Sequence, residues 1–364
     1  MNRIIISVTN DLTTDQRVAK TCDCFNELGY NILLIGRKVQ SSLNYEDQYK
    51  TIRFRLLFNT GFLFYAEFNT RLFFKLLFLK KELLWSNDLD TLLPNYLISK
   101  LFSKKLIYDS HEYFTEVPEL IGRKRARSFW LFIEKMIFSK LINVITVNEK
   151  LAEIYSQKYH VPVTVIKNVP FDKRFKNPKP IKFGKPNQKV IIYQGSLNMG
   201  RGLELMIDTM PYLKNCILVI IGDGYLLKEL KSRTANLALE ERVLFFGKAL
   251  PKDLHGFTKN ADLGVSLEED LGLNYRYALP NKLFDYIQAE IPVIASDLPL
   301  FNNLLTEFKV GEILKKRDSK SLASLIEYVL SNREQYIKPL KKASDCYNWN
   351  NEKKVLIEFI KTID

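Results

Sequence analysis

The chain has 364 residues, which is long for one hydrophobic core and typical of two domains. Hydrophobic residues make up 46% and charged residues 26%, and this composition excludes an intrinsically disordered protein. Lysine and arginine outnumber the acidic residues, 54 against 41, and the net charge of +13 predicts an anionic partner. Nucleic acid, an anionic membrane and a phosphorylated substrate all fit that sign, and charge alone does not choose among them.

The sequence predicts neither a membrane-spanning helix nor a secretory signal. The apolar run at 4–8 is too short for a signal and predicts a strand. The densest apolar region, 56–85, is interrupted by charged side chains, whereas a spanning helix needs roughly 18 apolar residues. The four cysteines lack metal-finger spacing and the three histidines are few, so no metal site is expected. We predict reduced core thiols in a cytoplasmic protein at Cys22, Cys24, Cys216 and Cys346.

Through the first half of the chain, β-branched runs alternate with helical periodicity, which is typical of βαβ units and a parallel sheet. Strands are predicted at 4–8, 31–35, 51–54, 83–85, 105–108, 144–147 and 163–166. Between the first two strands, helical spacing predicts a helix that Thr13 or Thr14 caps and Gly29 ends. The segment Asn87-Asp88-Leu89-Asp90 predicts a helix start with a capping acid rather than an Asp-x-Asp metal site.

A segment rich in proline and lysine, 169–188, interrupts this pattern and predicts a linker. Strands then resume at 189–193, 217–221, 243–246, 263–267 and 292–295. We therefore predict two doubly wound α/β domains with a ligand site in the cleft between them. The predicted divisions are an amino-terminal domain, the linker, a carboxyl-terminal domain and a final helix, at 1–168, 169–188, 189–345 and 346–364.

A glycine-rich turn follows the first strand of the second domain. Gly195 and Gly202 would let backbone amides approach a ligand, and Arg201 would grip two phosphate oxygens. The glycine spacing is not that of the dinucleotide fingerprint, and a plain strand-to-helix turn is an equal alternative. Gly247 and Lys248 end another strand, where Gly247 could meet a flat base edge or serve only the turn.

The helix predicted to start near Pro280 carries the strongest ligand signature. Pro280 and Asn281 suit a helix start, so the first amides would point at an anion, and Lys282 adds a full charge there. Asp285, one turn further, would accept hydrogen bonds from ribose hydroxyls. We predict that this segment, with Leu283, binds a diphosphate donor; a capped surface helix, in which Asp285 complements the helix dipole, is the alternative.

In the first domain, His111 follows a predicted strand and lies between Asp109 and Glu112. An imidazole at the carboxyl end of a strand can donate to a sugar hydroxyl or interact with developing charge. A histidine that bonds the local backbone is the alternative. The acidic neighbours favour a catalytic role for His111.

Two stretches, 53–85 and 122–140, mix aromatic with basic side chains. This mixture is typical of a helix that lies on an anionic bilayer, and an ordinary packed helix with a solvated face fits it equally well. The basic cluster in the second stretch consists of Arg123, Lys124, Arg125 and Arg127. No nucleic-acid recognition motif occurs in the sequence, so nucleic acid is not the expected partner.

The residues of the second domain resemble those of family 4 retaining glycosyltransferases of the GT-B fold. That family has a Glu-x7-Glu element before a Pro-Val-rich strand, and its second acid falls on Asp285. The family's phosphate-binding Arg…Lys pair falls on Ser196 and Arg201. The resemblance runs nearly end to end, because the blocks 9–18 and 108–112 are similar to the amino-terminal domain of the family.

The sequence departs from the family at two positions. Tyr277 stands where the first glutamate of the element is expected, next to the transferred sugar, and Glu268, Glu269 or Asp270 could take its place. Ser196 stands where an arginine is usual, and Lys282 could compensate for the lost charge.

The resemblance implies a GT-B fold, with two Rossmann-like parallel-sheet domains that face a central cleft and a last helix that crosses back to the first domain. It implies a retaining hexosyltransferase whose first domain binds the acceptor, through Asn10, Asp11 and Arg17 among others, and whose second domain binds the donor. The transfer would proceed on one face of the sugar with help from the leaving phosphate. The histidine at position 111 would lie near the donor sugar.

The expected donor is a UDP-, GDP- or similar nucleotide sugar, with no cofactor and no essential metal. The expected acceptor is a glycan or a lipid-linked molecule in lipopolysaccharide, capsule or other surface polysaccharide biosynthesis, reached from the inner face of the plasma membrane. Two alternatives stay open. One is a nucleotide-sugar epimerase of the GT-B type, and the other is a non-catalytic membrane-associated partner subunit.

Overall fold

A computed structural model describes residues 3–13, 15–39, 49–171, 181, 183–185 and 187–363. The chain divides into two compact units, one formed by residues 1–168 with 353–364 and the other by residues 169–352. Most of the predicted linker lies outside the described residues, at 172–180, 182 and 186. Its described residues Val169 and Phe183 are buried in the core of the second unit.

The first unit is built on a seven-stranded parallel sheet with the order β3-β2-β1-β4-β5-β6-β7. Its strands are β1 (Arg3–Asp11), β2 (Asn31–Arg37), β3 (Lys50–Phe54), β4 (Leu83–Asn87), β5 (Lys105–Ser110), β6 (Asn143–Thr146) and β7 (Val163–Val165). Its helices are α1 (Gln16–Glu27), α2 (Gly61–Phe78), α3 (Leu89–Leu101), α4 (Lys124–Ile137) and α5 (Glu149–Tyr159). All seven strands predicted for the first half are therefore confirmed.

The second unit is built on a six-stranded parallel sheet with the order β10-β9-β8-β11-β12-β13. Its strands are β8 (Lys189–Gln194), β9 (Cys216–Ile221), β10 (Val243–Gly247), β11 (Leu263–Ser266), β12 (Val293–Ser296) and β13 (Gly311–Leu314). Its helices are α6 (Leu203–Thr209), α7 (Leu227–Asn236), α8 (Pro251–Lys259), α9 (Leu273–Arg276), α10 (Asn281–Gln288), α11 (Pro299–Phe308), α12 (Ser319–Ser331) and α13 (Glu334–Cys346). The sequence predicted the first five strands and missed the edge strand β13.

The last helix, α14 (Trp349–Ile363), begins three residues after the predicted start of the final segment. The amide of Trp349 donates to the carbonyl of Pro170 at 2.8 Å. From Lys353 onward the chain groups with the first unit, where Lys353 pairs with Glu27 and Lys105 donates to the carbonyl of Ile363.

Two predicted helix caps are wrong. The amide of Val18 in α1 is capped by the carboxylate of Asp15, at 3.1 Å, rather than by Thr13, and Thr14 lies outside the described residues. Asp88 precedes α3 but makes no capping hydrogen bond, because its carboxylate is used by His111. A short acid can cap a helix from several positions before the first turn, so sequence alone did not select the one that does.

The cores of both units are apolar, and Cys22, Cys24 and Cys216 are buried in them as free thiols. The prediction of a core thiol is wrong for Cys346, which is free but exposed at the end of α13. Within the described ranges, no helix is both long and apolar enough to span a bilayer.

Candidate functional site

In the second unit, the turn after β8 brings a cation to the carboxyl ends of the strands. Gly202 has a φ of +72° and ends this turn, and a Cβ there would lie 2.3 Å from the carbonyl oxygen of Leu267. Only glycine permits both the positive φ and this close approach. The turn therefore sets Arg201 beside Tyr275, with its guanidinium carbon 4.6 Å from the ring centroid.

A buried carboxylate lies at the centre of this site. Glu268 comes shortly after β11, and its side chain is fully buried. One carboxylate oxygen lies 2.6 Å from Nζ of Lys282 and 3.4 Å from the guanidinium of Arg201, while the other accepts a 2.7 Å bond from Ser266. Glu268 therefore joins the two cations that the sequence predicted for phosphate binding.

The electrostatics of the cluster follow from its burial. Burial alone would raise the pKa of Glu268, but Lys282 and Arg201 lower it below its ordinary value, so the carboxylate stays charged. Burial lowers the pKa of Lys282 to about 8, because Glu268 offsets the cost of desolvation incompletely. The ammonium group also lies 4.1 Å from the ring centroid of Tyr193. With two cations against one acid, the cluster keeps one net positive charge at neutral pH.

Asp285 lies on α10 next to the end of β8. It accepts a 2.8 Å hydrogen bond from the side-chain amide nitrogen of Gln194. The side-chain oxygen of Gln194 in turn accepts a 2.7 Å bond from the hydroxyl of Thr258. This chain of bonds fixes the orientation of the carboxylate, and each oxygen of a carboxylate can accept more than one hydrogen bond.

The remaining predicted donor residues have different surroundings. Pro280 is the cap residue of α10 and Asn281 is its exposed first residue, whereas Leu283 is buried in the core. The hydroxyl of Tyr193 donates to the carbonyl of Ser196 at 2.7 Å, and the amide of Gly195 donates to Ile221 at 2.9 Å. Gly247 has a φ of +71° with open space beside its Cα, and the exposed Lys248 lies 3.7 Å from Asp223.

In the first unit, His111 belongs to a buried charged network at the carboxyl end of β5. Arg17 binds both carboxylate oxygens of Asp109, at 2.6 and 2.9 Å, and donates to the carbonyl of Ile166 at 2.8 Å. The Nε2 atom of His111 lies 3.2 Å from Asp109, and its Nδ1 atom lies 3.3 Å from Asp88. The imidazole is therefore held between two carboxylates.

Asp88 adopts a strained backbone conformation to make this contact. Its φ of 55° with a ψ of 171° lies in a region that residues other than glycine seldom occupy. The carboxylate accepts a 2.8 Å hydrogen bond from the backbone amide of His111, in addition to its contact with the ring. Burial alone would lower the pKa of His111, but Asp88 and Asp109 raise it to about 9, so the ring is an imidazolium at neutral pH.

The residues predicted for the acceptor or membrane are spread over the first unit. The side-chain amide of Asn10 donates to Asp15 at 3.2 Å, Asp11 pairs with Arg53 at 2.8 Å, and Arg17 is buried in the network around His111. The basic cluster lies at the start of α4, where Arg123, Lys124 and Arg125 are exposed and Arg127 pairs with Glu116. Lys124 and Arg127 line a cavity of about 550 Å³.

Sequence reasoning missed several residues that shape these sites. They include Tyr193, Gln194 and Tyr275, and nothing in their spacing in the sequence marks the contacts that they make across the fold. Glu268 was named among three acids that could replace a missing glutamate, and its place just after a strand was the available signal. Among the described residues, no group of three or more His, Cys, Asp or Glu side chains could hold a metal ion.

Comparison with known proteins shows which proteins these units resemble. Residues 175–345, somewhat less than half of the chain, match the model of the family described as "Glycosyl transferases group 1". The chain is 26% identical over 178 residues to phosphatidyl-myo-inositol mannosyltransferase of Mycobacterium leprae, an alignment of 44% of this chain and 43% of that protein. The chain thus spans less than half the length of the first curated relatives that it matches.

Solved structures match over the whole chain. Sucrose-phosphate synthase of Thermosynechococcus elongatus is similar with a TM-score of 0.80 and 15% identity, over 100% of this chain and 99% of that one. HepE of Anabaena, solved in complex with UDP-glucose, is similar with a TM-score of 0.74 and 15% identity over 100% of both chains. The predicted GT-B fold and the predicted glycosyltransferase resemblance are both confirmed.

Proposed function

We propose that this protein is a retaining hexosyltransferase that moves a sugar from a nucleotide-diphosphate sugar to a glycan or lipid-linked acceptor. The cluster of Arg201, Glu268 and Lys282 carries this proposal. It combines two cations on one buried carboxylate with a second carboxylate, Asp285, and carboxylates accept hydrogen bonds from ribose hydroxyls. A diphosphate and a ribose are the parts of a donor that such groups recognise.

The two cations supply the main chemical assistance. As the bond between the anomeric carbon and the phosphate oxygen breaks, negative charge grows on the leaving diphosphate, and Arg201 and Lys282 stabilise it without requiring a metal. The acceptor hydroxyl forms its bond to the anomeric carbon on the same face. Its proton passes to the leaving phosphate oxygen, so the anomeric configuration is retained.

His111 fits an electrostatic role better than a proton-accepting role. Because its pKa is raised to about 9 by Asp88 and Asp109 against the effect of burial, the ring already carries its second proton at neutral pH. A protonated imidazole cannot act as a general base. It can interact with charge that develops on the donor.

The compared proteins suggest the first substrates to try. HepE was solved with UDP-glucose, and the mycobacterial relative is named as a mannosyltransferase that acts on phosphatidyl-myo-inositol. For this chain we therefore propose a UDP- or GDP-sugar as donor. We also propose a lipid-linked acceptor in the synthesis of a bacterial surface glycan, such as lipopolysaccharide or capsule, with the protein peripheral on the inner face of the plasma membrane.

A transfer assay with a panel of nucleotide sugars and extracted membrane lipids tests this proposal. We expect one donor to lose its sugar to a lipid product whose anomeric configuration, assigned by NMR, equals that of the donor. An inverted product would refute retention. Isomerised donor in the absence of acceptor would instead assign an epimerase, and no turnover with any donor would favour a non-catalytic subunit.

A further inference from the structure

An exposed apolar surface lies on the first unit, at the start of α2 and along α4. Six large side chains form it, and we call them the apolar face: Leu57, Phe58, Phe62, Leu63, Phe129 and Phe132. Phe62 is 65% exposed and Phe132 is 63% exposed. Single exposed apolar side chains are common on proteins, but a contiguous group of them marks an interaction site.

The two helices present this surface together. The rings of Phe62 on α2 and Phe129 on α4 meet edge to face, with their centroids 5.7 Å apart and an interplanar angle of 79°. Phe132 follows Phe129 by three residues, so it lies on the same side of α4. The apolar face is therefore continuous from one helix to the other.

The loop before α2 is held in place with its apolar side chains exposed. The amides of Leu57 and Phe58 donate to the carboxylate of Glu67, at 2.9 and 3.0 Å, and Arg71 pairs with the same carboxylate at 2.6 Å. In this arrangement the side chain of Leu57 is 80% exposed. These hydrogen bonds therefore order the loop while the side chain of Leu57 stays in water, where a partner can contact it.

The exposed charges on α4, beside the apolar face, are positive. Lys124 and Arg125 begin α4 and Lys135 lies near its end, and all three are exposed. Glu134 is the acid of this helix, and it is buried in contact with Lys158 and Tyr159. The exposed side of α4 therefore combines aromatic and cationic side chains without an acid, which is the composition of helices that lie in an anionic membrane interface.

We propose that the apolar face is a docking surface for an anionic lipid bilayer. The six apolar side chains enter the interface, and Lys124, Arg125 and Lys135 contact headgroup phosphates. This inference deepens the proposed function, since it names the surface through which a lipid-linked acceptor would be reached. Membrane binding itself requires neither donor nor turnover, so it can be measured separately from catalysis.

Sedimentation of the full chain with phosphatidylcholine vesicles, with and without phosphatidylglycerol, tests the proposal without nucleotide. We expect binding to the anionic vesicles that weakens as salt is added. The double variant Lys124→Gln/Arg125→Gln should bind roughly 30-fold more weakly, from the contribution of two cations near a charged surface. The affinity of Phe62→Ser/Phe132→Ser for the vesicles should fall on the order of 30-fold or more, because two large apolar side chains no longer leave water.

A matched control lies on α13 of the second unit, where Ile337, Lys338 and Lys341 are exposed. Ile337→Ser and Lys338→Gln/Lys341→Gln should leave vesicle binding unchanged. All variants replace exposed side chains, and equal thermal unfolding midpoints will show that each remains folded. If the wild type does not bind anionic vesicles, or if the control variants weaken binding as much as the test variants do, the proposal is wrong.

A depth measurement separates insertion from loose attraction by charge. The three tryptophans Trp85, Trp130 and Trp349 are buried, so Phe132→Trp adds an exposed probe. Brominated acyl chains should quench this probe and should not quench a Tyr328→Trp control on α12. Equal quenching would contradict insertion. Light scattering tests the alternative that the apolar face binds a second copy of the chain. A dimer that is abolished in Phe62→Ser/Phe132→Ser would support this alternative and overturn the lipid proposal.

Discussion

At Lys282, burial and a carboxylate act in opposite directions on one ammonium group. Removal from water favours the neutral amine, and Glu268, at 2.6 Å, favours the charged form. The result is a cation that loses its proton near pH 8. A bound diphosphate would add negative charge beside it and hold the proton more strongly, so binding and protonation at this residue are linked.

The affinity for UDP should therefore depend on pH through Lys282. Burial lowers the pKa of Lys282 to about 8, so the charged form prevails below that pH and is lost above it. We expect the dissociation constant of UDP, measured by calorimetry, to rise as the pH increases from 7 to 9. In Lys282→Met this pH dependence should vanish. If the dissociation constant of Lys282→Met depends on pH as strongly as that of the wild type, another group is responsible for the pH dependence.

Glu268 should matter for donor binding although it repels phosphate. Its carboxylate lies between Arg201 and Lys282, and Glu268→Gln removes the charge that keeps the two cations together. We expect KM for the donor to rise about tenfold while the free energy of unfolding also falls, since breaking a buried pair leaves a charge without compensation. Glu240→Gln, which replaces an exposed acid of the same unit, is the control. An unchanged KM in Glu268→Gln would mean that the carboxylate serves stability alone.

Asp88 should set the protonation of His111. The chain contains three histidines, so proton NMR can follow each ring, with His111→Gln for assignment. Because two carboxylates raise the pKa of His111 to about 9, the midpoint of its NMR titration should lie well above that of an ordinary histidine. Asp88→Asn should lower this midpoint. Asp318→Asn, in the second unit, should have no effect. A wild-type midpoint near 6.5 would contradict the two-carboxylate arrangement.

At the scale of elements, twelve of the thirteen strands in the described residues were predictable, and the edge strand β13 was not. Buried parallel strands such as β9, with the sequence CILVII, consist of apolar residues and are visible without a structure. The edge strand β13 has the sequence GEIL and is only partly buried, so it lacks that signal. Helix caps and the Asp88–His111 contact depend on which side chains meet in space, and sequence spacing does not determine this.

The cap of α5 gives a direct test of element stability. The side chain of Asn148 accepts the amide of Leu151 at 2.9 Å and is buried. Asn148→Ala should reduce the free energy of unfolding by about 1 kcal/mol, and Asn148→Ser should restore most of it, since serine also caps helices. Urea denaturation of the three proteins measures the difference. Equal stability of Asn148→Ala and wild type would show that the cap contributes nothing.

At the scale of the whole molecule, the sequence was sufficient for the GT-B fold and for the resemblance to glycosyltransferases. Two runs of βαβ units predicted two sheets, and the segment around Pro280 predicted where an anion would bind. The central feature of the site was not predictable in the same way. Glu268 acquires its importance because β11 and α10 bring it to Lys282, and that meeting depends on the folded sheet.

Calorimetric titration of UDP and GDP into wild type, Lys282→Met and Lys338→Met tests the central claim most directly. If the cluster of Arg201, Glu268 and Lys282 holds the donor diphosphate, at least one nucleotide will bind. Lys282→Met will then weaken the binding of that nucleotide by about 10- to 100-fold, the range for a hydrogen bond to a charged group. Lys338→Met, which replaces an exposed cation on α13 of the same unit, will change the affinity less than about threefold. Unaltered affinity in Lys282→Met, or no binding of either nucleotide, would contradict the claim.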